Sequence, residues 1–420
     1  MYSRGTSGRK TGPWNISAVG LRSGPTKLAT VIIRGALTLA VLGALLLTAA
    51  IGAQAQTETV LYNFTGGSDG ANPMSNLTFD GAGNLYGTTE GGGAFGQGAV
   101  FELSLNGTGG WNESVLYSFT GAADGGNPGA GLIFDSVGNL YGTAYNGGAN
   151  GFGVVFELSP GRTGWTEAVL VALNYYRQES GVIMDPAGNL YGITDVGVFE
   201  LSPSGGGWTE QMIYPVFYYW KSGAGLAMDA AGNIFGIFGD LRTEGVSRAF
   251  ELSPNGSGGW NPTVISAFSP STHPEGTPVL GGAQGLEYFY GTTEFGGNQK
   301  QGTVFRLSSQ ETKGHWTENY LHSFKGGEDG SNPYAGIVFD AAGNIYGTTL
   351  AGGEPNQGTV FELVAPVGKG GYKEKVLWSF DGTDGAQPYG SLILDSAGNL
   401  YGTTSAGGSN GAGVVFEVTP

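Results

Sequence analysis

The chain has 420 residues, 81 of them glycine, with only 12% charged residues and no cysteine. Disulfides and thiolate chemistry are excluded, so the fold must rest on an apolar core. With 34 Asp/Glu against 18 Lys/Arg, the surface disfavours nucleic acid and anionic membranes, because binding to either draws on Lys/Arg.

Residues 1–55 differ from all that follows. They carry six basic residues (Arg4, Arg9, Lys10, Arg22, Lys27, Arg34) and no acidic one. An uncharged run, Gly35 to Gly52, leads to Ala53-Gln54-Ala55, the small-x-small pattern that a signal peptidase accepts. Cleavage is expected after Ala55, with export to the periplasm or the exterior and no membrane attachment afterwards. A retained anchor is the alternative, since the run reaches the roughly 18 residues that can span a bilayer. Cleavage leaves 12 Lys/Arg against 34 Asp/Glu, a net charge of −22. That charge favours solubility or cation binding, and a monomer is expected.

From residue 56 onward one unit recurs, Gly-Asn-Leu-Tyr-Gly-Thr-Thr and variants. Its central aromatic is Tyr86, Tyr141, Tyr191, Phe235, Tyr290, Tyr346 and Tyr401, at spacings of 44–56 residues. The period suits a propeller blade rather than a short solenoid repeat. The second copy predicts four strands, Gly131 to Phe134, Leu140 to Ala144, Gly153 to Leu158 and Trp165 to Leu173. They are rich in Val, Leu, Tyr and Phe and separated by turn residues, and no segment holds a helical period.

The ends of the repeat array show how it closes. Glu58 to Phe64 matches the fourth strand of the unit, and Phe416 to Pro420 matches the end of the third. One unit is split, so the N-terminal strand is expected to pair with the C-terminal blade, Val60 to Phe64 against Val414 to Val418. An open stack would leave both as unpaired edges. The expected fold is all-β: a seven-bladed β-propeller of four-stranded blades forming one domain over residues 56–420.

The units Asp-x-x-Gly-Asn-Leu-Tyr-Gly-Thr-Thr, Gly-Val-Val-Phe-Glu-Leu and Val-Leu-Tyr-Ser-Phe, with an Asp-Gly-x-Asn-Pro loop, resemble the GloVer (Gloeobacter/Verrucomicrobia) tandem repeat of bacterial exported proteins. The resemblance covers essentially all of the chain after residue 55. It implies no particular activity, because members are grouped by the repeat and differ in their C-terminal surface anchors. No sorting tail follows Pro420, so release is expected rather than surface attachment.

Residues repeated in every copy are expected to hold the ring together. Asp80, Asp135, Asp185, Asp229, Asp340 and Asp395 are read as turn caps. The third-strand Glu102, Glu157, Glu200, Glu251, Glu362 and Glu417 are expected to hydrogen-bond between blades, with Arg306 replacing them in copy five. Asp69, Asp124, Asp329 and Asp384, in the Asp-Gly-x-Asn-Pro loops, have the chemistry for a hard cation such as Ca²⁺. Capping of their own turns is the simpler reading.

Copies three and four lose that loop. Tyr175, Tyr176 and Arg177, and Tyr218, Tyr219, Trp220 and Lys221, stand in its place. Function is expected where a repeat departs from its own rules. Adjacent aromatic faces with basic neighbours suit a sugar ring or a protein segment, and the alternative is that they fill space left by shorter blades. His273, His315 and His322 lack metal-ligand spacing, and no nucleophile elbow or phosphate cradle is present. The expectation is a non-catalytic exported module binding glycan or protein. The alternative is a carbohydrate-active hydrolase or lyase using carboxylates around the channel.

Overall fold

The computed structural model describes residues 56–174, 180–216, 224–240, 246–269, 271–283, 286–309 and 316–420. They form seven four-stranded antiparallel sheets, and each sheet is one copy of the repeat. Blade 2 runs Ile133–Phe134, Leu140–Ala144, Val154–Gly161 and Gly164–Ala172. Its second strand matches the expectation residue for residue. Its first is two residues instead of four. Six blades share this two-residue inner strand, and blade 5 is the exception, with five residues, Val279–Ala283. Among the described residues there is no α-helix, only a 3₁₀ turn at Gly327–Asp329.

The ring closes as the split repeat requires. Thr57–Asn63 is the outer strand of blade 7 and pairs antiparallel with Val414–Thr419, with Val60 opposite Phe416 and Asn63 opposite Val414. Closure is reinforced nearer the axis, where the Ser391 amide donates to Asn76 Oδ1 at 2.6 Å and Asn72 Nδ2 donates to the Ser405 carbonyl at 2.9 Å.

The joints between blades are largely aromatic. A phenylalanine after each of five outer strands packs edge-on against the third-strand phenylalanine of the next blade. Phe64 on Phe101, Phe119 on Phe156, Phe268 on Phe305, Phe324 on Phe361 and Phe380 on Phe416 all have ring centroids 5.0–5.1 Å apart. All ten rings are buried, and such pairs contribute about 0.5–1.5 kcal/mol beyond their burial. The Tyr-Gly-Thr glycine is set by the same rings, since a Cβ on Gly142 would lie 2.6 Å from the Phe156 ring tip.

Threonines of the second strand, rather than the third-strand glutamates, hydrogen-bond from blade to blade. Thr88, Thr143, Thr292 and Thr403 donate their hydroxyls to the carbonyls of Ala130, Ser180, Ala335 and Ser75 in the next blade, at 2.8–3.1 Å. The glutamates work inside their own blade. Glu362 accepts from Tyr346 at 3.2 Å, and Glu157, Glu200 and Glu251 accept from the serine two residues on. The register explains this, because Glu362 stands directly opposite Tyr346 on the neighbouring strand of the same sheet.

The repeated aspartates cap turns as expected. Asp135 Oδ1 accepts from the Val137 and Asn139 amides at 2.9 Å, and its Oδ2 from Asn139 Nδ2 and the Tyr141 hydroxyl. The turn is thereby tied to the first residues of the second strand.

Candidate functional site at the channel mouth

Two adjoining cavities follow the axis. One, about 310 Å³, is walled by the inner strands of all seven blades, with Ile133, Ile183, Val338 and Ile393 among its aliphatic lining. Among the described residues its lining contains no carboxylate. The second, about 280 Å³, lies at one mouth and has a different character. Tyr145, Tyr334 and Tyr389 line it together with Glu90, Glu275 and Asn127.

Apart from Asn127, which precedes a loop proline, these side chains come from two positions of the repeat. One follows the loop proline (Met74, Gly129, Glu275, Tyr334, Tyr389) and the other follows the Thr-Thr or Thr-Ala pair (Glu90, Tyr145). The backbone at both positions is fixed. Antiparallel bridges join Ala71 to Gly91, Gly126 to Asn146, Ser331 to Ala351 and Ala386 to Ala406. The residue before the proline takes the left-handed conformation, φ 54° at Asn72 and Asn127, 56° at Asn332 and Gln387 and 46° at His273. Asn and His tolerate that region better than most residues. Asn127 also donates Nδ2 to the Glu90 carbonyl at 2.9 Å, which couples two blades at the mouth. A uniform backbone thus presents variable side chains.

Tyr334 and Tyr389, from blades 6 and 7, lie with ring centroids 4.4 Å apart, tilted by 50°. They offer a continuous aromatic surface beside two carboxylates and an amide, which suits a ligand with an apolar face and several hydroxyls.

The four loop aspartates stand in four different blade junctions. Asp69 accepts from the Thr65 amide at 2.7 Å and the Tyr62 hydroxyl at 3.1 Å, and Asp124 from the Thr120 amide at 2.8 Å and the Tyr117 hydroxyl at 3.0 Å. Asp329 accepts from the Lys325 amide at 2.6 Å and lies 3.3 Å from His322 Nε2. Asp384 accepts from Trp378 Nε1 and the Asp381 amide, both at 2.8 Å. Burial pushes all four carboxyls upward. At Asp69, Asp124 and Asp329 the donors outweigh burial and hold the group below its ordinary range. Asp384 stays raised, by burial and by the charge of Asp381.

The expected aromatic patch, Tyr175, Tyr176, Arg177, Tyr218, Tyr219, Trp220 and Lys221, lies outside the described residues, as does His315. The mouth residues Tyr145, Tyr334, Tyr389, Glu90 and Glu275 were not singled out from sequence. Their signal was present as two positions that vary inside an otherwise constant frame.

Seven four-stranded blades around a lined channel, fastened by an N-terminal strand, make this protein a β-propeller. The chain belongs to the Gloeobacter/Verrucomicrobia repeat family, whose pattern matches residues 49–214 and 221–420. No curated protein matches it in sequence. Among solved structures it is similar to a gluconolactonase from Xanthomonas campestris, at 12% identity over 87% of this chain and 89% of that one, with a TM-score of 0.42. It is also similar to a Trypanosoma rangeli sialidase, at 10% identity over 86% and 59%, TM-score 0.40. An exo-1,5-α-L-arabinanase from a bovine ruminal metagenomic library is similar at 12% identity over 61% and 98%, TM-score 0.33.

Proposed function

We propose that this is an exported binding propeller that takes a saccharide, or the end of a glycan chain, at the channel mouth. The observation that carries the reading is the Tyr334–Tyr389 pair beside Glu90, Glu275 and Asn127 in one cavity. Tyrosine faces cover the apolar face of a sugar ring, while carboxylate and amide groups hydrogen-bond its hydroxyls. The cavity is near the lower end of the range for small-molecule sites, about 300 Å³ and above, so one or two sugar units are the expected occupant.

Glycan-array binding, followed by calorimetry on the best ligand, tests this. Tyr334→Ala and Tyr389→Ala should each weaken binding about tenfold, corresponding to an aromatic contact of up to about 1.5 kcal/mol. Binding that survives the double substitution sinks the reading. A hydrolase or lyase is the second reading, supported by the carboxylates Glu90 and Glu275 at the same mouth. Polysaccharide turnover by purified protein, abolished in Glu90→Gln or Glu275→Gln, would replace the binding reading with that one.

A further inference from the structure

We propose that His273, Glu275 and Glu294 form a binding site for a divalent transition metal, Zn²⁺ in preference to Ca²⁺, at the edge of the channel mouth. The site shares Glu275 with the saccharide reading but does not rest on it. Among the described residues these three are the one group of His, Asp or Glu whose ligand atoms all lie within 4.8 Å of one another. His273 Nδ1 stands 3.9 Å from Glu294 Oε2. Ligands about 2.0–2.2 Å from a tetrahedral zinc ion lie about 3.3–3.6 Å apart, so side-chain rotations that draw the three atoms together by roughly an ångström bring all of them onto one ion.

The backbone pre-organises the trio although 21 residues separate its ends. The Glu294 amide donates to the His273 carbonyl at 2.8 Å, and Pro274 bridges to Thr293, so the two segments run side by side. Glu275 follows the rigid proline, lines the mouth cavity and is only 7% exposed. Phe295 packs edge-on against the His273 ring at 5.3 Å and fixes its orientation. The His273 and Glu294 side chains keep 30% and 24% exposure, which leaves an entry path.

Comparison among the blades supports a site specific to blade 5. Where it has His273, the matching loops have Asn72, Asn127, Asn332 and Gln387. Where it has Glu275, they have Met74, Gly129, Tyr334 and Tyr389; where it has Glu294, they have Glu90, Tyr145, Leu350 and Ser405. The ring itself needs none of these three side chains, because blades 2, 6 and 7 form without any of them. One imidazole with two carboxylates is a borderline donor set, suited to Zn²⁺ or Mn²⁺ rather than to Ca²⁺, which prefers oxygen alone. Three protein ligands leave a coordination position open.

The test uses the repeat's own residues. Calorimetry of the metal-stripped full chain with Zn²⁺, Mn²⁺ and Ca²⁺ should show one strong Zn²⁺ site, with Ca²⁺ at least tenfold weaker. His273→Asn restores the residue of three other loops in the same left-handed conformation, and Glu294→Leu restores that of blade 6. Each should lower Zn²⁺ affinity at least tenfold with an unchanged circular dichroism melt, while His322→Gln leaves it unaltered. If one of the two variants fails to fold, the other carries the same readout. No Zn²⁺ binding, undiminished binding in the folded variants, or equal affinity for Ca²⁺ would each overturn the proposal.

Discussion

The unit of assembly at the residue scale is a side chain with one fixed partner, repeated around the ring. Gly142 is conformationally ordinary but spatially constrained, because the Phe156 ring and Leu132 occupy the space where a Cβ would project. Gly142→Ala should therefore destabilise by about 1–3 kcal/mol, the usual cost of overpacking a core. A chemical denaturation midpoint that does not fall would show that the ring can shift without strain. Thr403→Val keeps the shape but removes the hydroxyl that the buried Ser75 carbonyl accepts across the closure. A loss of about 1–3 kcal/mol is expected for orphaning that carbonyl. The turn-capping aspartates were legible in sequence because their partners lie within six residues. The threonine bonds were not, because their acceptors lie 37–43 residues away, or 328 at the closure.

At the scale of the element, the outer strands carry a glutamate that faces the loop aspartate of the preceding junction. Glu58, Glu113, Glu167 and Glu374 are pushed up to about 7, first by burial and then by the charge of Asp384, Asp69, Asp124 and Asp329 respectively. In the folded chain these carboxyls hold their protons to higher pH than in the unfolded chain. Their contribution is therefore complete below about pH 4.5 and is lost as pH rises through about 7. Asp69, Asp124, Asp135 and Asp340 are lowered and act in the opposite sense, losing their contribution as pH falls below the ordinary aspartate range. Thermal stability should accordingly peak in mildly acidic solution and decline toward pH 8. Glu113→Gln should flatten that decline in melts recorded from pH 4 to 8, and an unchanged slope would rule out this account. Strand order and the second strand's boundaries were readable from alternation and turn residues. The two-residue inner strands were not, because the apolar run Gly131 to Phe134 is longer than the ladder it makes, Ile133 and Phe134 opposite Tyr141 and Leu140.

For the whole molecule, the decisive feature is closure by a strand from the opposite end of the chain. Removing residues 56–64 should expose the Val414–Thr419 edge and strip Phe64 from Phe101. The expected result is a lower melting temperature and aggregation, measured by differential scanning fluorimetry and light scattering. A truncated chain that melts like the intact one would mean the closure contributes little. The seven-fold repeat, the four strands per blade and the place of the split were all present in the sequence, because a period and a broken unit are one-dimensional facts. The channel mouth was not. Tyr334 and Tyr389 are 55 residues apart in the chain, and their rings lie 4.4 Å apart only because two blades converge on the axis. In blade 5 a backbone bridge from Pro274 to Thr293 brings His273 and Glu275 to Glu294. By itself the sequence determined the architecture, through local turn chemistry and repetition. Only the tertiary structure decided which of its variable residues share a site, because that depends on distances around a closed ring that no spacing along the chain encodes.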